Sequence, residues 1–206
     1  MNHHPQHHPP SPQGPEPGVL QLPRQPLAPD GIVLGSEARR AALRERTALV
    51  EQLGLPLDGH PFFDDFATVL AHRTGMAYGF VNIVLEKQNF IGLHQPPPGS
   101  GYPVVGRTMS TDHGWCPYVM DRKKALPLPN VHARPSFSAN YVAESVGISS
   151  YFGTQLQHAA SGIVLGTVCV IDPEERPMSD AVRLRDIVIA IGAEVLEAIT
   201  SRASVD

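Results

Sequence analysis

The stretch Gly162-Ile163-Val164-Leu165-Gly166-Thr167-Val168-Cys169-Val170-Ile171-Asp172 decides how the sequence folds. It is rich in β-branched residues, and it follows a similar run over residues 150–158, after the turn-forming residues Ala160-Ser161-Gly162. Two such runs joined by a short turn predict an antiparallel strand pair over 150–158 and 163–171. Strict alternation along the second strand places Cys169 on the same face as Ile163, Leu165 and Thr167, within the core.

A second strand pair is predicted upstream by the same period-two pattern. It covers residues 78–85 and 88–93, with a tight turn around Glu86 and Lys87. Residues 95–106 form a loop rich in proline and glycine, and residues 125–128 form a further short strand. We expect an irregular connection from there to residue 150.

Two helices are predicted before the first strand pair. Ser36 is a favourable N-cap, and the helix that follows ends at Gly54. The next helix begins at Pro61 and ends at Gly75. Its apolar face is predicted to comprise Phe62, Phe66, Val69 and Leu70.

The last element is a long amphipathic helix that begins at Ser179 or Asp180. Its main apolar stripe comprises Leu184, Ile187, Val188, Ile191, Val195 and Ile199. Val182, Ile189 and Leu196 add apolar surface away from that stripe, so the helix is expected to bury two faces. A short helix is also predicted near Trp115, because Pro117 is tolerated only in a first turn.

This order of elements predicts an α+β sandwich. Strand pairs joined by tight turns must be antiparallel, and the long helices then cover one face of the sheet. The boundaries divide the 206 residues into a Pro/His-rich tail (1–30), an N-terminal helix and linker (31–58) and a single domain (59–203). The tail carries too little apolar surface to fold, and its histidines have no fixed geometry, so no metal site is predicted.

Composition excludes several classes of function. The net charge is −4, which does not fit a nucleic-acid-binding protein. Two cysteines do not make a disulfide framework, and no apolar run approaches the ~18 residues of a membrane span. We therefore expect a cytoplasmic protein that binds neither membrane nor nucleic acid. Phosphate-binding, serine-hydrolase, His-Glu-x-x-His and Cys-x-x-Cys motifs are absent, so no catalytic residue is assigned.

Residues 148–176 resemble the GAF family of sensory domains. Ile148-Ser149-Ser150-Tyr151-Phe152-Gly153-Thr154-Gln155-Leu156 is similar to the family's strand with an aromatic-x-Gly-x-x-Leu pattern, and residues 162–172 are similar to its Gly-x-x-x-Gly-Thr-x-Cys-x-x-Asp strand. The similarity extends over about residues 60–202, and the arginine-rich composition suggests a high-GC, actinobacterial-like source.

The resemblance implies a central antiparallel sheet, with helices packed on one face and a small-molecule pocket on the other. It also implies a homodimer through the terminal helices and a separate signalling partner, because the chain has no room for an output domain. The ligand and cofactor are left open. A cyclic nucleotide is disfavoured because the chain has no Asn-Lys pair, and a bilin because Cys116 precedes Pro117 where the usual pair is Cys-His.

The richest cluster of reactive side chains lies between residues 112 and 118, where a carboxylate, an imidazole and a thiol occur together. A thiol at a helix start has a lowered pKa, although a buried cysteine also packs as a small hydrophobe. Aromatic faces and amides near the implied pocket are candidates for stacking and hydrogen bonding. The candidate ligand-binding residues are Asn82, Arg107, Asp112, His113, Trp115, Cys116, Tyr118, Tyr151, Phe152 and Gln155.

Three functions follow from these observations. The favoured one is a module that senses a small molecule or interacts with a protein in bacterial signal transduction. The second is a thiol-dependent enzyme similar to free methionine sulfoxide reductases, although Cys169 within a strand leaves Cys116 without a clear resolving thiol. The third is a dimerisation scaffold that binds no ligand.

Overall fold

The computed structural model describes residues 36–203, so the predictions for the tail lie outside the described residues. The helices are α1 (Ser36–Gln52), α2 (Pro61–Thr74), α3 (Cys116–Met120), α4 (Pro135–Ser138), α5 (Tyr141–Val146) and α6 (Ala181–Ala203). The strands are β1 (Tyr78–Val84), β2 (Lys87–His94), β3 (Thr108–Ser110), β4 (Leu126–Leu128), β5 (Ser150–Gln157) and β6 (Val164–Asp172). Short 3-10 turns lie at Val131–Ala133 and Met178–Asp180.

The strands form one six-stranded sheet in the order β3-β2-β1-β6-β5-β4. Every neighbouring pair is antiparallel, which confirms both predicted hairpins and the α+β class. The central contact joins β1 of the first hairpin to β6 of the second. Strand β3 was not predicted, because three residues are too few to display a period.

Two apolar cores lie on opposite faces of the sheet. The long helices α1, α2 and α6 cover one face, and their core includes Leu70, Phe152 and Val188. The short helices α3, α4 and α5 cover the other face around Trp115 and Tyr151. The expectation of helices on a single face therefore holds for the long helices, while the second face carries a packed layer of its own.

A β-bulge in β6 changes which of its residues share a face. Leu165 is an extra residue in β6, because Leu156 pairs with Gly166 and Gln157 with Val164. Leu165 consequently packs under the long helices, whereas Cys169 packs on the α3 side. The prediction that these two side chains share a face is wrong, because a bulge interrupts the alternation.

Helix α2 has the predicted ends but a different buried face. The side chain of His60 accepts a hydrogen bond from the Phe62 amide at its start, and Gly75 ends it with φ of 66°. Its buried face includes Phe63, Ala67 and Leu70, while Val69 is 44% exposed. The predicted face is therefore rotated from the observed one.

The segment before β5 is more regular than predicted. Asn130 and Asn140 cap the 3-10 turn at Val131–Ala133 and helix α5, each by accepting a backbone N–H two residues on. Both are favourable capping residues, and this signal in the sequence was missed. The stretch predicted to be irregular thus supplies two short helices to the second core.

In the part of the chain that the structure describes, no helix is long and apolar enough to cross a membrane.

Candidate functional site

The two cysteines of the chain meet between α3 and the sheet. Cys116 is the first residue of α3, and Cys169 lies in the middle of β6. Their Sγ atoms are 3.6 Å apart although the residues are 53 positions apart in the sequence. Both side chains are buried, and both thiols are free. The structure thus brings together two residues whose separation the sequence leaves open.

A third polar group, the Tyr151 hydroxyl, contacts the thiols and lies 3.7 Å from Sγ of Cys116. Its phenol ring folds back over Gly153 in the same strand, where a Cβ atom would overlap the hydroxyl oxygen. Gly153 is directly paired with Cys169 of β6. The glycine therefore leaves the space that directs the phenol towards the thiols.

Two further polar side chains lie beside the thiols. Asn82 of β1 pairs with Thr167 of β6, and both are fully buried. The Asn82 amide donates to Oε1 of Gln88 at 3.0 Å, but its Oδ1 and the Oγ1 of Thr167 have no hydrogen-bond partner. We call Cys116, Cys169, Tyr151, Asn82 and Thr167 the thiol cluster.

Within the thiol cluster, the pKa of Cys116 is lowered and the pKa of Cys169 is raised. A hydrogen bond from Cys169 is the main influence that lowers the pKa of the Cys116 thiol to about 7, against the opposing effect of burial. Thr167, Tyr151 and Asn82 also favour the Cys116 thiolate, although the contacts of Thr167 Oγ1 do not have the geometry of an ordinary hydrogen bond. The bond to Cys116 raises the pKa of Cys169 well above its ordinary value, and burial raises that of Tyr151.

The short helices α3, α4 and α5 form a cover over the thiol cluster, which we define as residues 114–121 and 131–146, on either side of strand β4. Asn140 holds its two ends together, since its side chain accepts from the Gly114 amide at 3.1 Å and donates to the Gly114 carbonyl at 3.0 Å. The Trp115 indole donates to the Phe137 carbonyl at 3.1 Å. The sequence could have identified Asn140 as a helix cap, but it does not reveal the contact with Gly114.

The remaining candidate residues are distributed around the cover. Gln155 donates to the Met120 carbonyl at the end of α3 at 2.8 Å. Tyr118 packs edge-on against Phe137. His113 stacks on Tyr141 at the surface, with 4.3 Å between ring centroids, and Asp112 is exposed. Only Asn82, Cys116 and Tyr151 of the ten belong to the thiol cluster, and Trp115 packs against Tyr151.

Phe152 and Arg107 lie elsewhere. Phe152 is buried in the core under the long helices, on the far face of the sheet from Tyr151, because neighbouring residues in a strand point in opposite directions. Arg107 forms two hydrogen bonds to the Asp64 carboxylate of α2, at 3.0 and 2.8 Å. It therefore anchors the loop before β3 to α2.

A separate cleft of about 470 Å3 opens at the end of α2. Asp172, Arg176 and Tyr102 line it together with residues of α2, and none of the ten candidate residues does. Asp172 is buried, accepts from the Ala77 amide at 2.8 Å and pairs with Arg176 at 2.7 Å. These bonds explain the aspartate that ends the β6 motif, since it ties β6 to the start of β1.

Within residues 36–203, no group of three or more His, Cys, Asp or Glu side chains is arranged to hold a metal ion.

The fold is similar to that of several solved structures. No protein-family model and no curated protein sequence matches the chain. Among solved structures, it is similar to the GAF domain of the Acinetobacter phosphoenolpyruvate-protein phosphotransferase, with a TM-score of 0.53 and 15% identity over 83% of this chain and 98% of that one. It is also similar to the phycoerythrobilin-bound GAF domain of a cyanobacterial phytochrome, with a TM-score of 0.53 and 13% identity over 84% and 98% of the two chains.

A third similar structure is an enzyme, the free methionine-R-sulfoxide reductase of Neisseria meningitidis in complex with its substrate. The TM-score is 0.50, with 15% identity over 87% of this chain and 98% of the reductase. Identities this low establish the fold alone. The chain therefore has a GAF fold, as its sequence motifs indicated.

Proposed function

We propose that this chain is a sensory module that recognises a small polar molecule at the thiol cluster. The observation that carries the proposal is the pair of buried atoms without partners, Oδ1 of Asn82 and Oγ1 of Thr167. A buried polar atom left unpaired costs about 1–3 kcal/mol. A molecule that hydrogen-bonds to both atoms would recover that cost, so the site favours a ligand bearing N–H or O–H groups.

The cover supplies the route by which such a molecule enters. Its helices have 5, 4 and 6 residues, so few of their backbone groups are bonded within a helix. Segments of this kind open at a lower free energy than the central strands of a sheet. Ligand binding at the thiol cluster would therefore move the cover and leave the sheet in place, which gives a signal that a partner can recognise.

Native mass spectrometry tests this proposal directly. The full chain is purified after bacterial expression, incubated with the low-molecular-mass fraction of a bacterial lysate, and measured under native and denaturing conditions. We expect an additional mass that is lost on denaturation. The Thr167→Val variant should lose this additional mass. The Thr74→Val variant should retain it, because Thr74 is a buried threonine of α2, on the opposite face of the sheet from the cover. A bare protein mass before and after incubation contradicts the proposal.

A second candidate function is a thiol-dependent reductase. It is favoured by the 3.6 Å separation of the two Sγ atoms, which supplies the resolving thiol that the sequence did not reveal. Free methionine sulfoxide is the substrate to test, with dithiothreitol as reductant. Turnover that disappears in Cys116→Ser would support this function, and stoichiometric reaction without turnover would exclude it.

We also propose a second copy of the chain as a partner at α6. Val182 and Ile189 are 57% and 44% exposed, and they lie seven residues apart, so they share one face of the helix. Leu196, the next residue at this spacing, is partly buried against the core. This spacing is the one by which helices pair along a seam. The same surface, formed by two equivalent helices, is self-complementary in a two-fold dimer.

A further inference from the structure

The position of each cysteine determines which of them can move. Cys169 is fixed in the centre of the sheet, where it pairs with Phe80 of β1 and Gly153 of β5. Cys116 lies on α3, which has only five residues and belongs to the cover. A disulfide requires the sulfur atoms to approach from 3.6 Å to about 2.05 Å. That movement of roughly 1.5 Å would therefore be made by α3.

The two thiols also differ in their chemical state. The hydrogen bond from Cys169 favours the thiolate of Cys116, while Cys169 keeps its proton. A thiolate is the nucleophile in reactions with oxidants, and a neighbouring protonated thiol can then resolve the oxidised product. The pair thus contains one group for each of the two steps.

Burial restricts the oxidants that can react. Cys116 and Cys169 are 4% and 2% exposed, so a peptide disulfide or another bulky reagent would have to displace the whole cover. Hydrogen peroxide is only slightly larger than water and offers O–H groups to Oδ1 of Asn82 and Oγ1 of Thr167, the two unpartnered atoms. The site therefore selects a small hydroperoxide.

We propose that Cys116 and Cys169 form a reversible disulfide in response to hydrogen peroxide and that the bond draws α3 towards the sheet. The Cys116 thiolate attacks one peroxide oxygen, the O–O bond breaks, and the departing hydroxide takes up a proton to give water and a Cys116 sulfenic acid. The Cys169 thiol then attacks Sγ of Cys116, and its proton leaves with the sulfenic hydroxyl as a second water. Overall, two thiols lose two electrons and two protons, and one peroxide becomes two waters.

This inference rests on the sensory function proposed above, because both act through the cover, but the disulfide needs no bound ligand. A disulfide in a chain that carries no additional native mass contradicts ligand binding alone. A ligand mass in a chain whose thiols stay reduced contradicts the peroxide response alone. The two proposals therefore fail separately.

The test is peroxide treatment of the full reduced chain, followed by denaturation, alkylation of free thiols and intact mass measurement. We expect the wild type to lose two hydrogen atoms, to take up no alkylating agent, and to regain both thiols with dithiothreitol. Peptide mapping without reduction should show the Cys116–Cys169 link. Mapping is needed because Met178 is 76% exposed and will gain oxygen independently.

Two variants separate the steps. Cys169→Ser should leave Cys116 as a sulfenic acid that a dione reagent traps, and Cys116→Ser should leave Cys169 reduced at the same peroxide dose. Circular dichroism of each variant checks that it is folded, with Cys169→Ala and Cys116→Ala as replacements if a serine variant is not. A wild type that accumulates trapped sulfenic acid, links two chains, or keeps both thiols under peroxide overturns the proposal.

Discussion

At the scale of single residues, the state of the Cys116 thiol depends on its neighbour. The hydrogen bond from Cys169 is the largest influence that lowers the pKa of Cys116 to about 7, and burial acts in the opposite direction. We therefore predict that Cys169→Ala raises the pKa of Cys116, because the variant loses the hydrogen bond that lowers this pKa and keeps the burial that raises it. The ultraviolet absorbance of the thiolate during a pH titration measures this shift.

The titration has an internal control in Cys116→Ala, which should remove the thiolate signal near neutral pH. Tyr151 and Cys169 are the other titratable groups of the thiol cluster, and both have raised pKa values. Burial is one cause of both raised pKa values and persists without Cys116, so neither group should contribute near neutral pH in this variant. An unchanged pKa of Cys116 in Cys169→Ala would show that the two thiols do not interact as the geometry implies.

The unpartnered hydroxyl of Thr167 makes a prediction about stability. Removing a buried polar group that has no partner avoids its desolvation penalty of about 1–3 kcal/mol, while valine preserves the shape of the side chain. We predict that Thr167→Val leaves the free energy of unfolding unchanged or raises it. The measurement is chemical denaturation at a pH below the pKa of Cys116, where Cys116 is protonated and its thiolate makes no contribution.

Thr74→Val is the matched control for this substitution. Thr74 is also buried, but its hydroxyl donates to the Leu70 carbonyl at 2.7 Å. Losing a satisfied hydrogen bond typically costs about 0.5–1.5 kcal/mol, so this variant should be less stable than the wild type. If both valine variants lose the same stability, Thr167 has a partner in solution and the site is not open to a ligand.

At the scale of elements, the packing of α2 depends on glycines in the sheet. A Cβ atom at Gly92 of β2 would overlap the Phe63 carbonyl oxygen of α2. We predict that Gly92→Ala lowers the free energy of unfolding by about 1–3 kcal/mol, the usual effect of overfilling a packed core. The midpoint of urea denaturation measures it.

Gly106→Ala is the control for α2 packing, because a Cβ atom there meets nothing within 4 Å and no left-handed backbone is required. It should leave the denaturation midpoint unchanged. Equal midpoints for the two alanine variants would mean that α2 does not approach β2 as closely as the structure shows.

The period of apolar residues predicted the positions of helices and strands better than it predicted which of their residues share a face. Tyr151 and Phe152 point to opposite faces of β5 as alternation requires, but the bulge at Leu165 separates that residue from Cys169. A bulge adds one residue without a distinctive composition here, so the sequence pattern does not reveal it. The contact between the two cysteines depends on the packing of α3 against β6, which is a tertiary feature.

At the scale of the whole molecule, local motifs identified the GAF fold, but the sequence did not locate the thiol cluster. Asn82, Cys116 and Tyr151 were candidates because of their chemistry and their place near the implied pocket. Thr167 and Asn140 were missed because a single threonine in a strand or asparagine in a loop has many structural roles. Thr167 matters because it pairs with Asn82, and Asn140 matters because it bonds to Gly114; both contacts join residues far apart in the sequence.

The proposed dimer gives the last prediction. Replacing Ile189, which is 44% exposed on the outer face of α6, with glutamate would place a charge in the seam between two helices, where it loses hydration without gaining a partner. We predict that Ile189→Glu shifts the chain from dimer to monomer at micromolar concentration. Sedimentation velocity measures the change, with circular dichroism to establish that the variant is folded.

Val104→Glu is the control for the dimer, since Val104 is equally apolar and 61% exposed but lies in the loop before β3. It should leave the sedimentation coefficient unchanged, because added surface charge alone does not dissociate an interface elsewhere. Dissociation by both variants would locate the interface away from α6. A wild type that sediments as a monomer at micromolar concentration would exclude the scaffold function and leave the movement of the cover as the signal.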